Sequence, residues 1–426
     1  MHPVTAIAPN SLLEPSQLLP FEQLEPSLQQ RFQQAWQPGS PLPSVVYPKT
    51  QEQLSEVMKL AKANQWQVLP WGAGSKIHWG GIGKPVDLII STQRINQVIE
   101  HAAGDLTITV EAGITLAQVK EFLAPHNQFL AFDPAYPNQA TIGGIIATAD
   151  TGSWRHRYGG VRDRLIGLSF IRSDGEIAKA GGRVVKNVAG YDLMKLFIGS
   201  YGSLGILSQA TFRLYPIPKH SATVVLSGNP EAIAQATQTL LNSSLTPTAL
   251  DLRPQNDQIL LIARFQSISL SVQEQAKRVF DLSQALGLSA QIYEQQEESQ
   301  LWATWQHQIW ETHPQKVICK LGIRPTEVVN LLLKIEQLAQ VQSQCVLHAR
   351  TGLGILRCNQ IRSTQLLELR SYLTSHGGFL SVLEASSSLK QSLDVWGCTG
   401  NALKIMQNIK HQFDPDNLLS GDRFIR

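Results

Sequence analysis

Twenty of the 31 glycines in this 426-residue chain fall between Gly72 and Gly205, within about a third of its length. Inside a helix each glycine costs about 1 kcal/mol relative to alanine. A segment this rich in glycine is therefore not built from long helices. It calls for short elements joined by turns in which the backbone takes φ > 0 or closely approaches another group. The glycines gather in three groups, at 70–76, 140–163 and 181–207.

Only 16% of the residues are charged and 43% are hydrophobic, a balance that sets aside disorder as the organising theme. The formal charge of +3 is too small to create a nucleic-acid or membrane-surface field. The length is enough for two or three domains. The four cysteines, Cys319, Cys345, Cys358 and Cys398, are scattered. Without C-x-x-C spacing they suggest reduced thiols, not a metal centre, iron–sulfur cluster or disulfide framework. The first twenty residues lack Lys and Arg and are broken by prolines, unlike a signal peptide. No apolar run reaches the roughly 18–20 residues of a membrane span. The expectation is a soluble, cytoplasmic protein with no anchor of its own and no metal site.

Residues 1–40 form an extended lead-in with room for one short helix. Strands are predicted at 44–47, 67–70, 86–90, 106–110 and 165–171. Thr50 with Gln53, and Thr115 with Gln118, are capping-box starts for two helices. Past Pro216-Ile217-Pro218 the glycines thin out, which places a boundary there: one domain over 41–218 and a second over 219–426. In the second, strands at 258–265, 317–323, 345–349, 355–358 and 379–383 alternate with helices at 272–286, 327–339 and 364–375. This β-α-β repetition predicts an antiparallel sheet backed by helices, of ferredoxin-like type, and an α+β protein overall.

The first glycine loop, Pro70-Trp71-Gly72-Ala73-Gly74-Ser75-Lys76, comes directly off a strand. Converging N–H groups in such a loop form a nest for phosphate oxygens. Two familiar nucleotide signatures fail here. The dinucleotide pattern needs a glycine at Ile77. The Walker pattern fails because Lys84 precedes Pro85 and His78 holds its upstream glycine position. Taken alone, the loop reads equally well as a hairpin with no ligand. In the second group, Gly143-Gly144 opens a run of small residues that a flat cofactor can approach, although small residues also serve helix packing. In the third, Gly199, Gly202 and Gly205 recur at a spacing of three, too dense for an ordinary helix.

Together and in this order, the three stretches resemble the FAD-binding domain of the vanillyl-alcohol oxidase (PCMH-type) flavoprotein superfamily. Lys186-Asn187-Val188-Ala189-Gly190-Tyr191-Asp192-Leu193 with Gly199-Ser200-x-Gly202-x-Leu204-Gly205 is similar to the glycolate oxidase branch. Gly181-Gly182-x-Val184-Val185-Lys186-Asn187 and Arg162-Asp163 are typical of that branch's FAD-binding accessory subunit. Phe413-Asp414-Pro415 resembles the family's closing motif, with Ser420-Gly421-Asp422 where Asn-Pro-Gly is usual.

The resemblance implies a pyrophosphate cradle at Gly72, Ala73, Gly74 and Ser75. Pro134, Thr141, Gly143, Gly144 and Thr148 would line the flavin and its phosphates, and Gly152, Ser153, Tyr158 and Gly159 would continue that wall. Gly205 and Ile206 would lie near the cofactor, and Gly113 near the adenine. With Ser75-Lys76 in the first loop and no cysteine in the second, non-covalent FAD is expected.

Catalytic relatives carry a metal-binding His-x-Gly-x-Gly-Asn-x-His pattern. The corresponding place here is Leu347-His348-Ala349-Arg350-Thr351-Gly352-Leu353-Gly354-Ile355, with one of the two histidines and no asparagine. His348 then reads as a hydrogen-bonded strand residue and Arg350 as an anion contact. Lys186 and Tyr191 are the other polar candidates near a flavin, or structural members of a buried turn. Trp302, Trp305 and Trp310 read as core. The implied function is an FAD-binding subunit of a glycolate oxidase (glycolate dehydrogenase) complex. It would oxidise a small 2-hydroxy acid beside a homologous catalytic flavoprotein subunit and an iron–sulfur subunit. The alternatives are a self-sufficient FAD-dependent D-lactate or glycolate dehydrogenase and a scaffold that holds FAD without turnover.

Overall fold

A computed structural model describes residues 12–37, 42–182, 191–255, 258–311, 313, 315–338, 343–398 and 400–425. The chain forms two compact units. The first comprises Met1–Thr151, Gly160–Pro216 and Cys398–Arg426, and the second comprises Gly152–Gly159 and Ile217–Gly397. Two segments thus pack away from their sequence neighbours. Residues 152–159 leave the first unit for the second, and 398–426 return to the first, whereas the sequence alone assigned both to the neighbouring domain. Among the described residues no helix is long and apolar enough to cross a membrane.

The first unit holds two principal sheets. In one, Leu18–Pro20, Ser44–Val46, Leu88–Ser91 and Val68–Trp71 lie in that order, the last three parallel. Alternate side chains feed opposite faces of this sheet. Val46, Val68, Leu88 and Ile90 join one buried cluster, while Val45, Leu69, Trp71 and Ile89 join another. Helix Gln51–Ala63 follows Thr50, whose side chain accepts from the Gln53 N–H, and buries Leu54, Val57, Met58 and Ala61. The other sheet is antiparallel, in the order Val98–Ala102, Thr107–Glu111, Ile206–Arg213, Leu165–Ile171 and Ile177–Gly181. Helix Leu116–Leu123 packs against its core behind a complete Thr115/Gln118 capping box.

The closing segment is tied into this unit. Phe413 packs against Phe170 and Phe197, with ring centroids 6.5 and 5.5 Å away. Asp414, 1% exposed, accepts from the Leu418 and Leu419 N–H groups at 3.0 and 2.8 Å and pairs with Lys410. Burial lowers the Lys410 pKa, opposed by Asp414. The backbone then runs parallel to Val68: the Val68 N–H donates to Leu418 O at 2.7 Å, and the Ser420 N–H donates to Val68 O at 2.9 Å. Residues 418–420 therefore dock beside Val68 as a strand-like extension, and Gly421 and Asp422 follow in a turn.

In the second unit one antiparallel sheet has eight strands. Their order is Ser289–Glu294, His220–Gly228, Gln258–Ser267, Ala249–Gln255, Ser343–His348, Leu353–Cys358, Val317–Gly322 and Phe379–Glu384. Numbered within each half, this reads 4-1-3-2 followed by 2-3-1-4. The expected ferredoxin-like arrangement thus occurs twice, joined through the second strand of each half. Helices Pro230–Leu241, Ser269–Ala285, Val328–Leu338 and Ser363–Ser375 pack on one face. Helix Gln295–Trp310 covers the other, where Trp305 is buried on Leu260 and Ile262 and Trp302 packs beside them. Of the three tryptophans expected in the core, Trp305 is buried there and Trp302 packs against it, while Trp310 is half-buried outside the cluster. Cys319, Cys345 and Cys358 are buried free thiols whose pKa values burial raises, that of Cys358 to about 12.

Candidate functional site

The glycine loops of the first unit line a solvent-open cleft of about 670 Å³. Gly72, Ala73, Gly74, Ser75 and Lys76 form one side, Thr141, Gly143, Gly144 and Thr148 another, and Gly202, Gly205 and Ile206 a third. Among the described residues, none of the backbone N–H groups of residues 72–76 donates a hydrogen bond. A run of amides that strand pairing leaves unused, opening on a cleft, suits the oxygens of a pyrophosphate. The cleft lining contains neither histidine nor cysteine, so the residues fit a cofactor held without a covalent bond.

Glycine is required at Gly72 by close approach: a Cβ there would stand 2.0 Å from Thr141 Oγ1 and 3.0 Å from Thr141 Cβ. Thr141 is meanwhile the N-cap of helix Ile142–Thr148, accepting from the Gly144 N–H at 3.2 Å. The first and second glycine groups are thus locked together. Lys76 is buried against Asp150 at 2.8 Å, and the same carboxylate oxygen accepts from the Ala135 N–H at 3.0 Å.

Not every residue proposed from the sequence joins the cleft. Gly113 lies outside its lining and packs on backbone, where a Cβ would be 1.8 Å from the Thr92 carbonyl oxygen. Pro134 is buried outside the lining as well. Gly152, Ser153, Tyr158 and Gly159 belong to the second unit. Tyr191 is 95% exposed, so the buried-turn alternative does not hold for it. Lys186 lies outside the described residues. Arg423 and Tyr201 also line the cleft, and no motif or spacing singles them out. Arg423 is buried and its pKa is lowered to about 10 by that burial.

The second unit holds its own polar cluster at the seam between its two halves. There Asp251 pairs in register with His348 across strands Ala249–Gln255 and Ser343–His348. His348 Nδ1 lies 2.7 Å from Asp251 Oδ1, and Ser153 Oγ donates to Asp251 Oδ2 at 2.5 Å. All three side chains are buried. Because a carboxylate accepts, Nδ1 carries the donated proton and Nε2 is the nitrogen left to take or give one. Arg350 follows on an exposed turn. His156, half-buried nearby, has its pKa lowered to about 4, first by burial and further by Arg350, His348 and Arg157, against the pull of Asp251. Its buried Nδ1 has no hydrogen-bond partner among the described residues. Among those residues no group of three or more His, Cys, Asp or Glu side chains is placed to hold a metal. The sequence reading of His348 as a hydrogen-bonded strand residue describes its position, but not the carboxylate that holds it.

Residues 42–181 match the family model described as FAD binding domain. The chain is 30% identical over 234 residues to glycolate oxidase subunit GlcD of Bacillus subtilis, covering 55% of this chain and 50% of that protein. It is 34% identical over 181 residues to the mitochondrial D-lactate dehydrogenase [cytochrome] of Arabidopsis thaliana, covering 42% of this chain and 32% of that protein. The chain thus matches half or less of the length of these curated relatives. A solved alkyldihydroxyacetonephosphate synthase superposes with a TM-score of 0.73 at 15% identity, over 99% of this chain and 85% of that one, a likeness of fold. Residues 42–181 of the chain are therefore an FAD binding domain, and FAD is the cofactor.

Proposed function

We propose that this chain is the FAD-binding subunit of a glycolate oxidase-type complex. It supports oxidation of a small 2-hydroxy acid, glycolate to glyoxylate, and works beside a homologous catalytic flavoprotein subunit and an iron–sulfur subunit. FAD, when bound, supplies two-electron acceptance from the carbinol carbon. The chain's part is to hold the cofactor through the amides of residues 72–76 and the glycine walls facing them. The observation that carries this reading is a glycine-walled cleft within a matched FAD binding domain, in one chain with a His348 segment that keeps one histidine and no asparagine of the metal-binding pattern. The kinship with a glycolate oxidase subunit supports the choice of substrate class. On this reading the protein is cytoplasmic and reaches a membrane only through its partners.

One observation favours a second reading, a self-sufficient 2-hydroxy acid dehydrogenase. An imidazole oriented by a buried carboxylate is the usual arrangement of a general base. A dye-linked assay with glycolate and D-lactate separates the two. The first reading expects the purified chain to show oxidised-flavin bands, to be photoreducible and to leave both substrates untouched until its partners are added. Turnover by the chain alone supports the second. No flavin bands after FAD is added overturns both.

A further inference from the structure

Arg423 reaches the first glycine loop from 347 residues away in sequence. Its Nη2 donates to three carbonyls at and just beyond the end of that loop: Lys76 O at 3.3 Å, Ile77 O at 2.5 Å and Trp79 O at 2.8 Å. Its own backbone is fixed as well. The Gly81 N–H donates to Arg423 O at 3.2 Å, and the Arg423 N–H donates to Ser420 O at 3.2 Å. Next to it, the Lys84 N–H donates to Gly421 O at 3.0 Å. The guanidinium lies 5.5 Å from the centre of the Trp36 ring, and the side chain lines the cleft.

A trans peptide points its C=O and N–H in opposite directions. Drawing the Lys76 carbonyl to Arg423 therefore turns the Ile77 N–H the other way, and it donates back to Gly74 O at 3.3 Å. That closes the turn behind Gly74, whose φ of +73° only glycine adopts without strain. Residues 72–76 line the cleft, and among the described residues their amides have no acceptor. A loop without such a tether samples many orientations, and a ligand must then offset the entropy of fixing it. Nη2 carries two hydrogens, so one of them is shared between two of the three carbonyls; the planar guanidinium, lying over the Trp36 ring, holds that nitrogen in place more firmly than a flexible stem would hold an ammonium.

We propose that Arg423 is a positioning residue for the FAD pyrophosphate: by binding the carbonyls of Lys76, Ile77 and Trp79 it keeps the amides of residues 72–76 aimed into the cleft. This rests on residues 72–75 being the pyrophosphate cradle. The test measures FAD and ADP binding by calorimetry on the flavin-stripped full chain, for wild type, R423K and R423A, with melting temperature followed alongside.

R423A is expected to weaken FAD and ADP by the same factor, about 10- to 100-fold given the strength of charge-supported phosphate contacts. R423K should fall between, and added guanidinium ion should restore R423A in part. A purely structural role would lower the melting temperature and leave both affinities unchanged, which overturns the proposal. So does R423K binding both ligands like wild type in the event that R423A does not fold. A wild-type chain that binds FAD but not ADP would instead refute the cradle itself, whatever the variants do.

Discussion

Replacing Gly72 by Ala tests whether the first two glycine groups are locked by contact or merely adjacent. The added methyl would stand 2.0 Å from Thr141 Oγ1 and 3.0 Å from both Thr141 Cβ and Cγ2. Thr141 must then rotate and release the Gly144 N–H it caps. Loss of an N-cap costs about 1 kcal/mol, and crowding a packed site adds about 1–3. The expected destabilisation is therefore about 2–4 kcal/mol. At about 2–4 °C per kcal/mol for a unit of this size, melting should fall by roughly 4–16 °C. A double-mutant cycle assigns the cause. In a Thr141→Ala background the hydroxyl and methyl are gone, so Gly72→Ala should cost at least 1 kcal/mol less, a coupling well above the roughly 0.3–0.5 kcal/mol scatter of independent sites. Urea unfolding of the four proteins, followed by tryptophan fluorescence, measures it. Additive costs would show that the side chain of Thr141 is not what excludes a Cβ at Gly72, and the argument would fail.

Three further expectations follow from single contacts. Asp414→Asn leaves Lys410 without its buried anion, which should cost about 3–5 kcal/mol and be visible as a lower urea midpoint. His156 has a folded pKa of about 4, below its ordinary 6.5, so the unfolded chain binds the extra proton first and stability is lost as pH falls from about 6.5 to 4. Melting curves across that window should lose part of their slope in His156→Gln, and an unchanged slope would mean that another group sets it. Alkylation at pH 8 should mark the half-buried Cys398 well before Cys319, Cys345 and Cys358, whose burial raises their pKa values; equal rates would contradict that burial.

Local signals in the sequence were readable because their physics is local. Thr115 and Gln118 announce a helix start through hydrogen bonds that span three residues, and the capping box forms as expected. The glycine groups were readable as turns and short elements because their density disfavours long helices; Gly143 and Gly144 lie in the seven-residue helix Ile142–Thr148. The strands Ala249–Gln255 and Ser289–Glu294 were not found: the first carries Pro254, and the second is a polar edge strand without clear alternation. The Asp251–His348 pair is hidden for a different reason. It forms between residues 97 apart, at a seam that exists only once two halves of a sheet have joined. Ser153 lies within the second glycine group in sequence, yet its hydroxyl is used by Asp251. Sequence neighbours share a site only when the chain does not leave the unit, and at residues 152–159 it does.

The contact between Arg423 and the glycine loop also bears on how the protein is made. At about 5–20 residues per second, synthesis of the 347 residues separating Lys76 from Arg423 takes roughly 17–70 s. Throughout that interval the nascent loop has no guanidinium to order it and Val68 has no strand-like neighbour along 418–420. Helix formation and hairpin closure are complete within microseconds. The loop at 72–79 is therefore completed late, only once residue 423 has been made. Loading of the cofactor becomes an event that follows synthesis of residue 423, and a ribosome stalled before that residue would carry a folded sheet beside a loop not yet shaped for its ligand.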